Sequence, residues 1–70
     1  MVTYRVEAWD SIGLLVKDFE VDVDEVDGAN FILQQVLHVD GVVCARVTDL
    51  NAELVDKRCD PGVEFEDVVR

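Results

Sequence analysis

Seventy residues hold 16 acidic and 6 basic side chains, for a net charge of −10, in a chain that is 50% apolar. That is one domain's worth of chain (residues 1–70), too apolar for a disordered polymer and too acidic to grip a phosphate backbone, which needs lysine and arginine. No run approaches the ~18 apolar residues of a membrane span, and the first residues carry neither the basic nor the apolar region of a secretory signal, so a cytoplasmic protein is expected.

Val2, Tyr4, Val6 and Ala8 alternate with Thr3, Arg5 and Glu7, the period of a half-buried strand. Asp10-Ser11-Ile12-Gly13 reads as a type I turn that closes a hairpin. The second strand has Leu14-Leu15-Val16, then Phe19, Val21 and Val23 inward against Asp18, Glu20, Asp22 and Asp24 outward. The inward parity changes near Lys17, which calls for a β-bulge.

A helix is expected from about Asp24 to His38. Asp22 or Asp24 serves as cap, with Glu25 and Asp27 in the first turn, where the helix dipole favours negative charge. Val26, Ala29, Ile32, Leu33, Val36 and Leu37 form one apolar stripe; His38 near the end and Gly41 just beyond it are the stop signals, and Gly28 weakens the first turn. Val43, Ala45 and Val47 then make a third strand and Glu53 to Cys59 a fourth. Asp60-Pro61-Gly62 is a turn, and Val63, Phe65 and Val69 suggest a last strand.

The fold class is therefore α+β: a hairpin, one helix, then two or three strands, with the helix on one face of a four- or five-stranded sheet. In layout this resembles the ubiquitin-like β-grasp, in which the last strand runs parallel beside the first. The resemblance rests on element order, and the di-glycine tail of the conjugated modifiers is not at Val68-Val69-Arg70, so it implies no functional residue.

Catalytic chemistry has little to work with. His38, placed at a helix end, and Ser11, placed in a turn, are the single histidine and serine, and nothing sets a base beside a nucleophile. The glycines stand too far apart for a phosphate loop. An EF-hand frame started at Asp22 fails at Val26 and Leu33. A core this small leaves little room for a ligand cavity of ~300 Å³. Cys44 and Cys59 lack zinc-site spacing and are expected as reduced, buried residues; a cross-strand bond between them is a geometric alternative that sequence does not decide. No catalytic residue, metal or cofactor is assigned.

Surface is what remains. Six of the ten residues from Asp18 to Asp27 are acidic, with no basic residue among them. Alternation sets Asp18, Glu20, Asp22 and Asp24 about 6.5–7 Å apart on one side of a strand, a spacing comparable to that of phosphates along a nucleic-acid strand; Glu25 and Asp27 continue the row, and Glu64, Glu66 and Asp67 are candidates to extend it. A second candidate surface is the outer face of the helix, Phe31 with Gln34, Gln35 and His38, an aromatic among amides. Trp9 falls opposite Val6 and Ala8 on the first strand, so either the second face of the sheet is covered or Trp9 wraps an edge. The expected function is a non-enzymatic protein-interaction module, an inhibitor or adaptor that occupies a basic, nucleic-acid-binding surface of another protein, as viral counter-defence mimics do. It would bind neither nucleic acid nor membrane directly. The alternatives are a solvated acidic face, a structural homo-oligomer (a homodimer, for instance) with Trp9 or Phe31 between copies, and a small metal-binding or enzymatic domain.

Overall fold

The computed structural model describes residues 2–24 and 28–69. Two long strands, β1 (Val2–Asp10) and β2 (Leu15–Val23), precede helix α1 (Gly28–Leu37); β3 (Val42–Thr48), β4 (Leu54–Cys59) and the short helix α2 (Phe65–Val68) follow. The strands form one sheet in the order β2-β1-β3-β4, and every neighbouring pair is antiparallel. The α+β expectation holds. The β-grasp layout does not, because β1 lies between two antiparallel neighbours and no late strand runs parallel beside it.

The alternation of β1 separates the two faces as expected. Tyr4, Val6 and Ala8 turn towards α1 and meet Ala45 and Val47 of β3, while Ala29, Leu33 and Val36 close the core from the helix. Leu33, Val6 and Val47 are fully buried. A bulge lies where the parity of β2 changes: Ala8 pairs with Lys17 and Trp9 with Leu15, leaving Val16 as the extra residue. A second irregularity, between Trp9 and Asp10, separates Val43 from Ala45 and Val47. Val43 therefore packs against the opposite cluster around Trp9, not into the helix-side core expected of it.

Both hairpins are closed by the same device. Asp10 Oδ1 accepts from the amides of Ile12 (3.1 Å) and Leu14 (2.9 Å), and Asp49 Oδ1 accepts from those of Asn51 (2.8 Å) and Glu53 (3.0 Å). The fourth residue of each loop is left-handed: Gly13 at φ 86° and Ala52 at φ 63°. Gly13 is also required by space, since a Cβ there would sit 2.8 Å from the carbonyl oxygen of Val68.

Gly28, read as weakening the first turn of the helix, is the first described residue of α1. A Cβ there would lie 3.0 Å from Val23 Cβ, so the missing side chain lets α1 approach the end of β2 closely. Of the expected caps, Asp22 lies within β2 and accepts from the Thr3 hydroxyl instead, and Asp24 follows the strand as an exposed bend; Glu25, Val26 and Asp27 lie outside the described residues. His38, expected as the last helical residue, lies just past α1; its amide bonds to the Gln35 carbonyl at 3.2 Å.

The expected last strand is a helix. Phe65, Val68 and Val69 recur at helical spacing, and all three pack on the face opposite α1 with Trp9, Cys44 and Cys59. Glu66 and Asp67 stand in the first turn, where the helix dipole favours them. Trp9 is only 7% exposed, with Phe65 edge-on to it at 5.8 Å. A C-terminal helix thus covers Trp9, which settles the alternative between a covered face and an edge and removes Trp9 as a contact between copies. Beneath α2, Cys44 and Cys59 face each other across β3 and β4 and are joined as a disulfide, where reduced thiols were expected.

Candidate functional site

β2 is an edge strand, and its residues from Leu15 to Glu20 are all exposed. Its face opposite α1 carries Asp18, Glu20 and Asp22, which pair in register with Glu7, Arg5 and Thr3 of β1. Asp24, just beyond the strand, is exposed as well; Glu25 and Asp27 lie outside the described residues. The three strand carboxylates stand at alternate positions, about 6.6 Å apart by strand geometry, as the sequence pattern requires.

The row is less bare than the sequence of β2 suggests, because β1 supplies cations and donors. Arg5 holds Asp18 with two bonds, Nε to Oδ1 at 3.0 Å and an Nη to Oδ2 at 2.7 Å. The bond to Asp18 and its charge push the Arg5 guanidinium above its ordinary value. Thr3 donates its hydroxyl to Asp22 at 2.6 Å. Glu20 accepts no side-chain hydrogen bond among the described residues. Glu7 lies directly opposite Asp18, and Arg46 opposite Lys57; like charges so placed repel. The repulsion is relieved by neighbours: Arg46 bonds Glu7 at 3.0 Å and lies 5.1 Å over the Trp9 ring. Lys57 bonds Glu66 at 3.2 Å and lies 4.8 Å over the Phe65 ring.

The C-terminal acids are divided: Glu64 and Glu66 lie beside β4, where Lys57 engages Glu66, whereas Asp67 lies against Ser11, Ile12 and Gly13 of the β1–β2 loop. A bond from its own backbone amide, then Lys57, holds the Glu66 carboxyl below its usual value.

Phe31 is 62% exposed, and Gln34, Gln35 and His38 are exposed around it. That surface belongs to the helix layer, and the strand carboxylates belong to the other face of the sheet. The two sequence-derived candidates are therefore separate surfaces.

Two features escaped the sequence. The sheet's open face holds a shallow cleft of about 370 Å³, lined among others by Arg5, Arg46, Leu54, Lys57 and Phe65. It is ligand-sized in volume, but it is an open concavity between α2 and the Ala52 loop, not a hole in the core, and each of its cations already has a carboxylate partner. The other feature is a groove beside β2. Helix α1 lies over β3, β4 and β1, so Phe19 on the helix side of β2 remains 40% exposed, and it lines a groove of about 330 Å³ with Lys17, Gln35, Val36 and Val39. Among the described residues no three His, Cys, Asp or Glu side chains are grouped to hold a metal ion, and no helix is long and apolar enough to cross a membrane.

Comparison of the chain with protein-family models, with curated proteins and with solved structures found no significant match to any of them.

Proposed function

We propose that this chain is a non-enzymatic acidic protein-interaction module that inhibits or adapts a partner by occupying its basic surface, in the manner of a nucleic-acid mimic. One observation carries the reading: Asp18, Glu20 and Asp22 project at alternate positions from an exposed edge strand in a chain of net charge −10. Such a row creates a directed negative field that speeds encounter with a basic partner and disfavours acidic ones. The two pairings made by Asp18 and Asp22 fix their positions without burying them; Arg5 and Asp18 are 51% and 38% exposed in their side chains, so the pair adds little stability of its own. In the cytoplasm expected from the sequence the Cys44–Cys59 pair would be held reduced, so the bonded form belongs to an oxidising setting.

The test is capture from the source or host cell with wild-type protein and with Asp18→Asn/Glu20→Gln/Asp22→Asn as baits. The reading expects a partner retained by wild type, lost with the triple variant, and displaced from wild type by added DNA or RNA. Equal capture by both baits would reduce the acidic face to a solvated surface.

A further inference from the structure

An edge strand has a single neighbour, so every second residue of β2 directs its N–H and C=O away from the sheet, open to another strand. Natural edges of this kind are usually short, bulged or covered. β2 runs nine residues, and its bulge, at Val16, lies near one end and leaves Lys17–Val23 in regular register with β1. On the helix side of this edge lies the apolar groove formed by Phe19 with Val36 and Val39. On the other side stand Asp18, Glu20 and Asp22.

A strand laid along β2 would therefore meet two different surfaces at alternate residues. Its side chains on one face would fall against carboxylates; those on the other would fall beside Phe19 and the helix. Charge decides the occupant. A second copy pairing through its own β2 with most of the strand aligned would set carboxylate against carboxylate on the open face, which destabilises a sheet. An extended segment with lysine or arginine at every second position and apolar residues between them satisfies both faces at once.

We infer that the β2 edge takes up an extended basic–apolar alternating peptide segment of a partner protein as a fifth strand, with Asp18, Glu20 and Asp22 reading its cations and the Phe19 groove its apolar side chains. This deepens the proposed function and rests on it: the acidic row provides attraction, and the main-chain ladder provides geometry.

Three end-capped synthetic peptides test this: one alternating lysine and valine, one of the same composition with lysines and valines in separate blocks, and the alternating peptide N-methylated at every second residue. N-methylation on the edge-facing amides removes ladder donors and leaves charge intact. Titration into isotope-labelled protein, with amide exchange of β2 as a second readout, is expected to show the alternating peptide binding about tenfold or more tighter than either control, with β2 amides protected and those of β4 unchanged. Phe19→Ala is expected to weaken the alternating peptide and leave the block peptide unaffected. If all three peptides bind alike and the Asp18→Asn/Glu20→Gln/Asp22→Asn variant loses them alike, attraction is purely electrostatic: strand addition is overturned and the acidic interaction surface survives. If the triple variant binds all three as wild type does, both readings fall. Protection of β2 in the peptide-free protein that grows with protein concentration would make a second copy the occupant and overturn the inference.

Discussion

Reduction of the Cys44–Cys59 disulfide should remove roughly half of the stability of this domain. The bond joins residues 15 apart in sequence, and closing a loop of that length in the unfolded chain is worth about 3 kcal/mol in the chain-entropy treatment. A core of this size supplies only ~3–5 kcal/mol beside it. At 4–8 °C per kcal/mol for a domain of this length, the melting temperature should fall by about 12–24 °C. The loss should begin locally. Trp9, Cys44 and Val68 form their own buried cluster, apart from the Leu33 core, and the disulfide anchors the strand on which α2 rests. Trp9 is the single tryptophan, so its fluorescence reports that cluster alone. Thermal melts should be followed by Trp9 emission and by far-ultraviolet dichroism, with and without a phosphine reductant, reduction being verified by thiol titration. A fully reduced protein that melts within about 3 °C of the oxidised one would show that the covalent constraint does not limit stability.

Ala52→Gly should raise stability by about 0.5–1 kcal/mol, since a left-handed alanine costs roughly 1–2 kcal/mol and glycine returns part of that as unfolded-state entropy; Gly13→Ala in the matching loop should destabilise, and denaturant melts with equal midpoints for both would contradict the shared-loop account. Leu33→Ala should cost about 2–5 kcal/mol, because Leu33 is fully buried at the centre of the core, and a loss below about 1 kcal/mol would contradict the packing. Sodium chloride should raise the melting temperature, mostly below ~1 M as the Debye length falls to about 3 Å; a flat profile would show that repulsion among the carboxylates is not limiting. Glu66 should titrate below the ordinary glutamate value by carbon-detected NMR, and Lys57→Gln should return only part of the shift, since the larger cause is its own backbone amide. Because the folded value is lowered, the stability Glu66 contributes is complete above the ordinary carboxylate range and is lost as pH falls through the folded value.

How far the chain was legible follows from what periodicity encodes. The strand alternation of Tyr4, Val6 and Ala8 and the helical spacing of Ala29, Leu33 and Val36 each name a buried face, and the structure buries them. The parity change at Lys17 pointed to a bulge because one extra residue moves a strand's inward set from even to odd positions, and the register shifts there. Strand order is different: face patterns do not say which strand lies beside which, so β1 between β2 and β3 was not readable. Val63–Val69 satisfied two periods at once, and contact with Trp9 decided for the helix. The disulfide and the Arg5–Asp18 pair did have a signal. Counting outward from the Asp49–Glu53 loop, with one bulge, brings Cys44 opposite Cys59. Counting outward from the Asp10–Leu14 loop, with the bulge at Val16, brings Arg5 opposite Glu20, within diagonal reach of Asp18. Reading β2 without its partner strand made the acidic row look unopposed.

If the carboxylate row of β2 draws in a basic partner, the association rate must depend on salt and on those three side chains. The rate at which the captured partner binds should be measured from low to high sodium chloride for wild type and for Asp18→Asn/Glu20→Gln/Asp22→Asn. Steering by the row predicts a wild-type rate that falls steeply with salt and a triple-variant rate that is slower and nearly flat. Equal rates with equal salt dependence would contradict it.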